Sequence, residues 1–177
     1  KLELNNIIDR SYSDYFFKEL FNVKEIDIID YSNYEDAEII HDTNKPINDD
    51  MNEKYDVVID GGSLEHIFNF PTAISNCMRM LKKSGNIFIF SMANNHCGHG
   101  FYQFSPELFY RIFDVYNGFI INKVILIEHN YPGAELSTNN ICYEVEDPKI
   151  YGKRINIVNS KPLGIMVDAK KTDNKKI

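Results

Sequence analysis

Apolar residues recur along this chain in two rhythms, and the rhythms divide it into elements. Between Pro71 and Leu81 (PTAISNCMRML) the positions Ala73, Ile74, Cys77, Met78 and Leu81 fall three and four apart, the spacing of one helix face. Proline sits in the opening turn and KKSG closes the run. Ser11–Phe21 (SYSDYFFKELF) shows the same spacing at Tyr12, Tyr15, Phe16 and Leu20, behind a serine able to accept from first-turn amides. A third helix is predicted within SPELFYRIFDVYNG, where Ser105 caps, Pro106 starts and Gly118 ends it. Its Phe109, Tyr110, Ile112 and Phe113 form an aromatic and aliphatic stripe that reads as core filling rather than a ligand platform.

The runs between these helices are short, continuous and β-branched, which predicts strands at Ile26–Ile29, Ala37–Ile40, Asp56–Ile59 and Asn86–Met92. The last two lack polar interruptions, as expected of strands covered on both faces. Phe119–His129 predicts a long strand, and PLGIMVDAKK, ending at Lys171, a short one pairing beside it. Residues 130–162 carry Pro132, Gly133, Pro148 and Gly152 with little periodicity and read as a loop excursion folded over one end of the sheet. Strands alternating with helices predict a doubly wound α/β fold: a mostly parallel sheet between helix layers, a three-layer sandwich, closed by an antiparallel strand. At 177 residues, one domain is expected.

Composition removes several function classes. Hydrophobic content of 44% with 25% charged residues is that of a soluble globular protein, and no apolar run is long enough to cross a bilayer. A net charge of −7, with lysines gathered at the end (KKTDNKKI), repels phosphate backbones, so no nucleic-acid partner is expected. Three widely separated cysteines, Cys77, Cys97 and Cys142, build no disulfide framework and fit a cytoplasmic location.

In doubly wound sheets ligands sit outside the carboxyl ends of the strands. Here the first three strands end at Asp30, at His41–Asp42 and at Asp60, so one rim is expected to be acidic. A carboxylate offers two oxygens to a vicinal diol, which makes Asp30 a candidate for holding a ribose. Gly61 and Gly62 let the backbone turn sharply and approach a ligand, or serve as a plain strand-to-helix turn.

Taken together, IDIIDYS, HDTN, YDVVIDGGSLEHIFNFPTAISNCMRMLKKSGNIFIF, FYQFSPELFYRIF and GFIINKV resemble the Rossmann-like (class I) S-adenosylmethionine-dependent methyltransferases. The likeness spans roughly Asp9–Phe119, and the order of strand, acid, small turn, LEH, helix, LKxxG and strand is its most specific part. It implies S-adenosyl-L-methionine as cofactor and methylation of a small-molecule acceptor, a sugar or another metabolite. Residue by residue, it implies that Asp30 holds the cofactor's ribose with Tyr31 beside it, and that Asp42 receives the adenine amino group flanked by His41 and Thr43. Asp60, Gly61 and Gly62 fall beside the methionine part. The chain departs from the pattern at its start: no glycine precedes Gly61, whereas the family's first strand runs into a glycine-rich loop. Either Lys1–Asn5 is that strand with an altered loop, or the element is missing from this chain. The rival function is accordingly a catalytically silent methyltransferase-fold domain acting as a binding or assembly module. A nicotinamide-dependent enzyme would need GxGxxG after the first strand, which the chain lacks.

Methyl transfer from a sulfonium asks mainly for alignment, and an oxygen acceptor also asks for a base. Glu65 and His66 follow the glycine turn, and His99 lies in the loop that leaves the fourth strand; these are the catalytic candidates, the alternative being that Glu65 and His66 cap and pack the next helix. In the same loop Asn94, Asn95, His96, Tyr102 and Gln103 are candidates for the acceptor pocket. His96, Cys97 and His99 are too compactly spaced for a usual zinc site and lack an evident fourth ligand, so no metal is expected. The expected partner is a small molecule, not a membrane, with a homo-oligomer left open.

Overall fold

The computed structural model describes residues 17–18, 21–33, 37–131, 133–134, 137 and 139–173. Lys1–Asn5 and most of the helix expected over 11–21 lie outside these residues, although Phe17, Lys18 and Phe21 are helical. The chain divides into two compact units, Lys1–Asp42 and Thr43–Ile177. No helix among the described residues is long and apolar enough to cross a membrane.

In the first unit, β1 (Ile29–Asp30) and β2 (Ile39–Ile40) pair in parallel, with Ile29 opposite Ile39 and Asp30 opposite Ile40. Both are shorter than the apolar runs predicted, and both still end where the polar residues begin.

In the second unit five strands form one sheet in the order β3-β4-β7-β5-β6. β3 (Tyr55–Gly61) runs parallel to β4 (Leu81–Asn94), the helix α1 (Phe70–Met80) making the crossover. After α2 (Pro106–Ile112) comes β5 (Phe119–Glu128), then β6 (Ile141–Glu144), the one-turn helix α3 (Pro148–Tyr151) and β7 (Leu163–Lys171). β7 inserts between β4 and β5 and is antiparallel to both, while β6 pairs antiparallel with the outer side of β5. β3, β4 and β5 thus point one way, and the antiparallel closing strand is the expected one.

The layers differ from the prediction. Ile87 and Ile89 of β4, Val124 and Leu126 of β5, and Ile165, Val167 and Ala169 of β7 share one face, packed with Ala73, Ile74 and Met78 of α1 and with Phe109 and Phe113 in and beside α2. The opposite face presents Val57, Ile59, Phe88, Ile120 and Met166, all exposed. Among the described residues of this unit the helices make one layer against the sheet, and the continuous apolar runs of β3 and β4 put every second side chain on the face that those helices do not cover.

Two local expectations also change. Ser105 occupies the cap position in an extended conformation, yet its side chain makes no capping hydrogen bond. The helix it opens stops at Ile112, and Asp114 caps a separate 3-10 turn over Val115–Asn117 by accepting from the amides of Tyr116 and Asn117. Gly118 (φ 78°) then closes the segment as predicted. The excursion over 130–162 holds β6 and α3, so it is not merely loop.

Candidate functional site

The polar residues that matter most gather where β3 and β4 finish side by side. β3 ends at Asp60–Gly61, opposite Ile89 and Phe90 of β4. Gly62, at φ 103°, turns the chain through a region that side-chain-bearing residues rarely enter, and Leu64–His66 follow as a 3-10 turn. Asp60 is 7% exposed, and its Oδ1 accepts from the Ser63 amide at 3.1 Å, fixing the turn. Its Oδ2 is buried with no hydrogen-bond partner among the described residues. Burial, reinforced by the neighbouring Glu65, pushes the Asp60 carboxyl up to about 7, against the pull of the turn amides of Ser63, Leu64 and Gly62.

Glu65 is fully buried. Its Oε2 accepts from Ser91 Oγ at 2.6 Å, while Oε1 lies 3.4 Å from His99 Nε2 and beside the Cα of Gly62, where a Cβ would come within 3.3 Å. The Glu65 carbonyl accepts from the amides of Phe101 (2.7 Å) and Tyr102 (3.2 Å), so the loop leaving β4 is tied directly to the turn leaving β3. Gly100 makes that approach possible: at φ 69°, a Cβ there would stand 2.7 Å from the Glu65 carbonyl oxygen. The same fold-back brings the rings of His66 and His99 to 4.9 Å, with His96 at 6.0 Å from His99. Donor atoms of Glu65, His66 and His99 all lie within 4.8 Å of one another. The sequence candidates Asp60, Gly61, Gly62, Glu65, His66 and His99 are thus brought to one place.

The acceptor-pocket candidates divide. Asn94 lines a cleft of about 250 Å³ with Phe104, Glu107 and Leu126. Asn95 instead donates its side-chain amide to the carbonyls of Asn159 (3.2 Å) and Lys161 (2.7 Å), and Tyr102 donates its hydroxyl to the Phe68 carbonyl (2.6 Å). Gln103 accepts from the His96 amide at 2.9 Å. The polar ends of these three side chains hold the loop in shape. Asp60 and Gly61 also border a shallow depression of about 530 Å³ on the open face of the sheet, with Ile59, Phe88, Phe90 and Met166.

In the first unit, Asp30 and His41 meet at the carboxyl ends of β1 and β2, the His41 amide donating to the Asp30 carbonyl at 2.8 Å. The Asp30 Oδ1 accepts from the amide (2.7 Å) and hydroxyl (3.1 Å) of Ser32, and Tyr31 beside it is exposed. Asp42 is half-buried at the end of the unit. Thr43 begins the second unit, and its carbonyl accepts from the Asn76 side chain at 3.4 Å.

No family model matches the sequence, and no curated protein matches it. Among solved structures, the chain is similar to a Thermotoga maritima protein described as a SAM-dependent methyltransferase, possible histamine N-methyltransferase, with a TM-score of 0.47 and 15% identity over 73% of this chain. The chain spans 61% of that protein's length.

Two residues of the site escaped the sequence reading. Ser91 is a fully buried hydroxyl inside the apolar run NIFIFSM, and that single polar position was the available signal. His129 is also fully buried, packed on Gly164 with its ring 6.1 Å from His96, and neither ring nitrogen has a hydrogen-bond partner among the described residues. It closes β5 as Asp60 closes β3, a parallel that sequence order alone makes visible only once the strands are aligned.

Proposed function

We propose that this chain is an S-adenosylmethionine-dependent methyltransferase domain that methylates an oxygen of a small-molecule acceptor, a sugar or another metabolite. The observation that carries this reading is the clustering of two buried carboxylates and two histidines around a left-handed glycine turn, at the carboxyl ends of parallel strands. Such a rim is where a doubly wound or related sheet receives a nucleotide-like ligand. Gly61 and Gly62 would let the backbone approach the cofactor's methionine end, and Asp30 would hold its ribose as the sequence resemblance implies.

When bound, the cofactor would supply an activated methyl group whose carbon–sulfur bond breaks as the acceptor oxygen takes the methyl, so the protein would have to hold the acceptor in line and receive its hydroxyl proton. The Glu65–His66–His99 group is the set of residues available to deal with that proton. Alignment supplies most of the acceleration, because the leaving group is already activated.

Titration of S-adenosylhomocysteine into the purified chain, followed by calorimetry and by thermal melting, tests the reading. Saturable binding that is weakened by Asp30→Ala supports it, and a mass-detected screen of hydroxylated acceptors then identifies the product. Absence of binding at about 1 mM ligand, a concentration that reveals even an interaction of about −4 kcal/mol, would overturn it.

A further inference from the structure

We infer that Glu65, His66 and His99 form a binding site for a divalent transition metal of the zinc class. The donor chemistry comes first. Two imidazoles and one carboxylate are a recurrent protein ligand set for such ions, with a fourth tetrahedral position open to an oxygen ligand, whereas magnesium and calcium favour all-oxygen sets.

The geometry agrees with the chemistry. Glu65 Oε1 and His99 Nε2 are 3.4 Å apart, which is about the edge of a tetrahedron with ligand distances of about 2.1 Å. All three donors lie within 4.8 Å of one another, so closing the set requires an adjustment on the order of 1 Å. His66 is exposed and His99 half-buried, which leaves the imidazole side free to make that adjustment.

The surroundings prepare the carboxylate for this role. Ser91 fixes Oε2 through a 2.6 Å hydrogen bond, and two loop amides fix the Glu65 backbone, so Oε1 alone is left facing the imidazoles. A ligating carboxylate held by an outer hydrogen bond is the arrangement that tunes protein metal sites. Oε1 is buried and has no hydrogen-bond partner among the described residues. A simple Glu65–His99 pair would account for one imidazole; it leaves unexplained why His66 is brought to 4.9 Å from His99, ring to ring. A shared cation accounts for both rings.

This inference supplies a mechanism for the acceptor's proton and in that use rests on the methyltransferase reading. An acceptor hydroxyl bound at the fourth position would ionise near neutral pH, as water does on zinc, and then attack the methyl carbon; the released proton passes to solvent.

The test is titration of cobalt(II), a spectroscopic probe, and then zinc(II), into the chelator-treated purified chain. Expected results are one cobalt per chain with visible ligand-field absorption, displacement by zinc, and no displacement by magnesium. His66→Ala and His99→Ala should each weaken cobalt binding by at least about tenfold, while Cys97→Ser, an exposed thiol outside the set, leaves it unchanged. Because Glu65 is buried and its replacement threatens folding, the decision rests on the two histidines. Absence of the absorption band, affinity unaltered in both histidine variants, or loss of binding in Cys97→Ser overturns the inference. Measuring S-adenosylhomocysteine binding on the same samples separates the two ideas: cofactor binding without cobalt binding removes the metal alone, and cobalt binding without cofactor binding leaves the site but removes its role in methyl transfer.

Discussion

Asp60 is a carboxyl group that the fold holds against ionisation, and this gives the protein a measurable pH dependence. Its folded value of about 7 lies well above the ordinary 3.8, so between these limits the native chain binds more protons than the unfolded one. The stability associated with the protonated group is complete below about pH 4 and is lost as pH rises through about 7; the ionised form carries a penalty on the order of 4 kcal/mol. The Glu65 carboxylate and the half-buried Cys77 are the titratable groups beside it, and the Cys77 thiol is itself pushed up to about 12 by desolvation and by Asp60. Asp60→Asn keeps an oxygen for the Ser63 amide and removes the charge. Urea unfolding at about pH 5.5 and about pH 8 should show the wild type losing about 2 kcal/mol more than this variant; equal losses would place the ionisation elsewhere. A second residue-scale outcome concerns Gly100, where a methyl group would meet the Glu65 carbonyl oxygen at 2.7 Å. Gly100→Ala should cost about 1–3 kcal/mol, whereas Gly98→Ala, with nothing within 4 Å of the added carbon, should cost far less in the same melt. At this scale the gathering of the candidates was partly legible: the glycine turn, Glu65 and His66 follow an apolar run directly and His99 lies in the loop after the next one, so the expected strand ends put them near one another, while helix capping remained the other reading of Glu65 and His66. Asn95, Tyr102 and Gln103 look equally polar in sequence, and only their partners, Lys161 and Phe68 far along the chain and His96 within the loop itself, reveal that they brace the loop.

Elements were legible in proportion to how strongly burial marks them. α1 and β5 fall within a residue of their predicted spans because each buries one regular face, and β7 pairs beside β5 as expected. β6 was missed because all four of its side chains are exposed; it is held by pairing with β5, and such pairing leaves no hydropathy pattern. α3, a single turn capped by Asp147, is too short to show a period. The aromatic stripe of α2 is structural as read: Phe109 stacks parallel to Phe113 at 6.4 Å and meets Phe104 edge-on at 5.6 Å, and Phe113 continues to Phe119 at 5.3 Å. This chain of rings joins the loop after β4 to the start of β5. Phe109→Ala, at a fully buried position, should cost about 3–5 kcal/mol by denaturant unfolding. A loss below about 1 kcal/mol would mean that the ring is not part of the core.

At the scale of the second unit, what the sequence could not show is the spatial order of its strands. Periodicity identifies strands but not neighbours, and hydropathy alone suggested two covered faces where the unit's helices cover one. The decisive arrangement is that β7, the last of the described strands, lies between β4 and β5, so the centre of the sheet is completed only when Leu163–Lys171 is in place. β7 pairs along β4 from Asn86 to Asn94 and along β5 from Phe119 to Glu128, and its Ile165, Val167 and Ala169 lie in the middle of the core. Lys171, buried at its end, donates to the carbonyls of Met78 and Leu81 and so fastens β7 to the C-terminus of α1. Removing the chain from Lys161 onward would leave β4 and β5 with facing unpaired edges and an uncovered apolar layer, the condition that drives edge-to-edge aggregation. A chain ending at Ser160 should therefore be insoluble or lack a cooperative melt, even though every residue of the Glu65–His66–His99 group is retained. Restoring residues 161–173 as a separate peptide should recover soluble, folded protein through strand addition, detected as a cooperative transition that depends on peptide concentration. A truncated chain that melts cooperatively by itself would show that β7 is dispensable and that the order of strands does not govern folding of this unit.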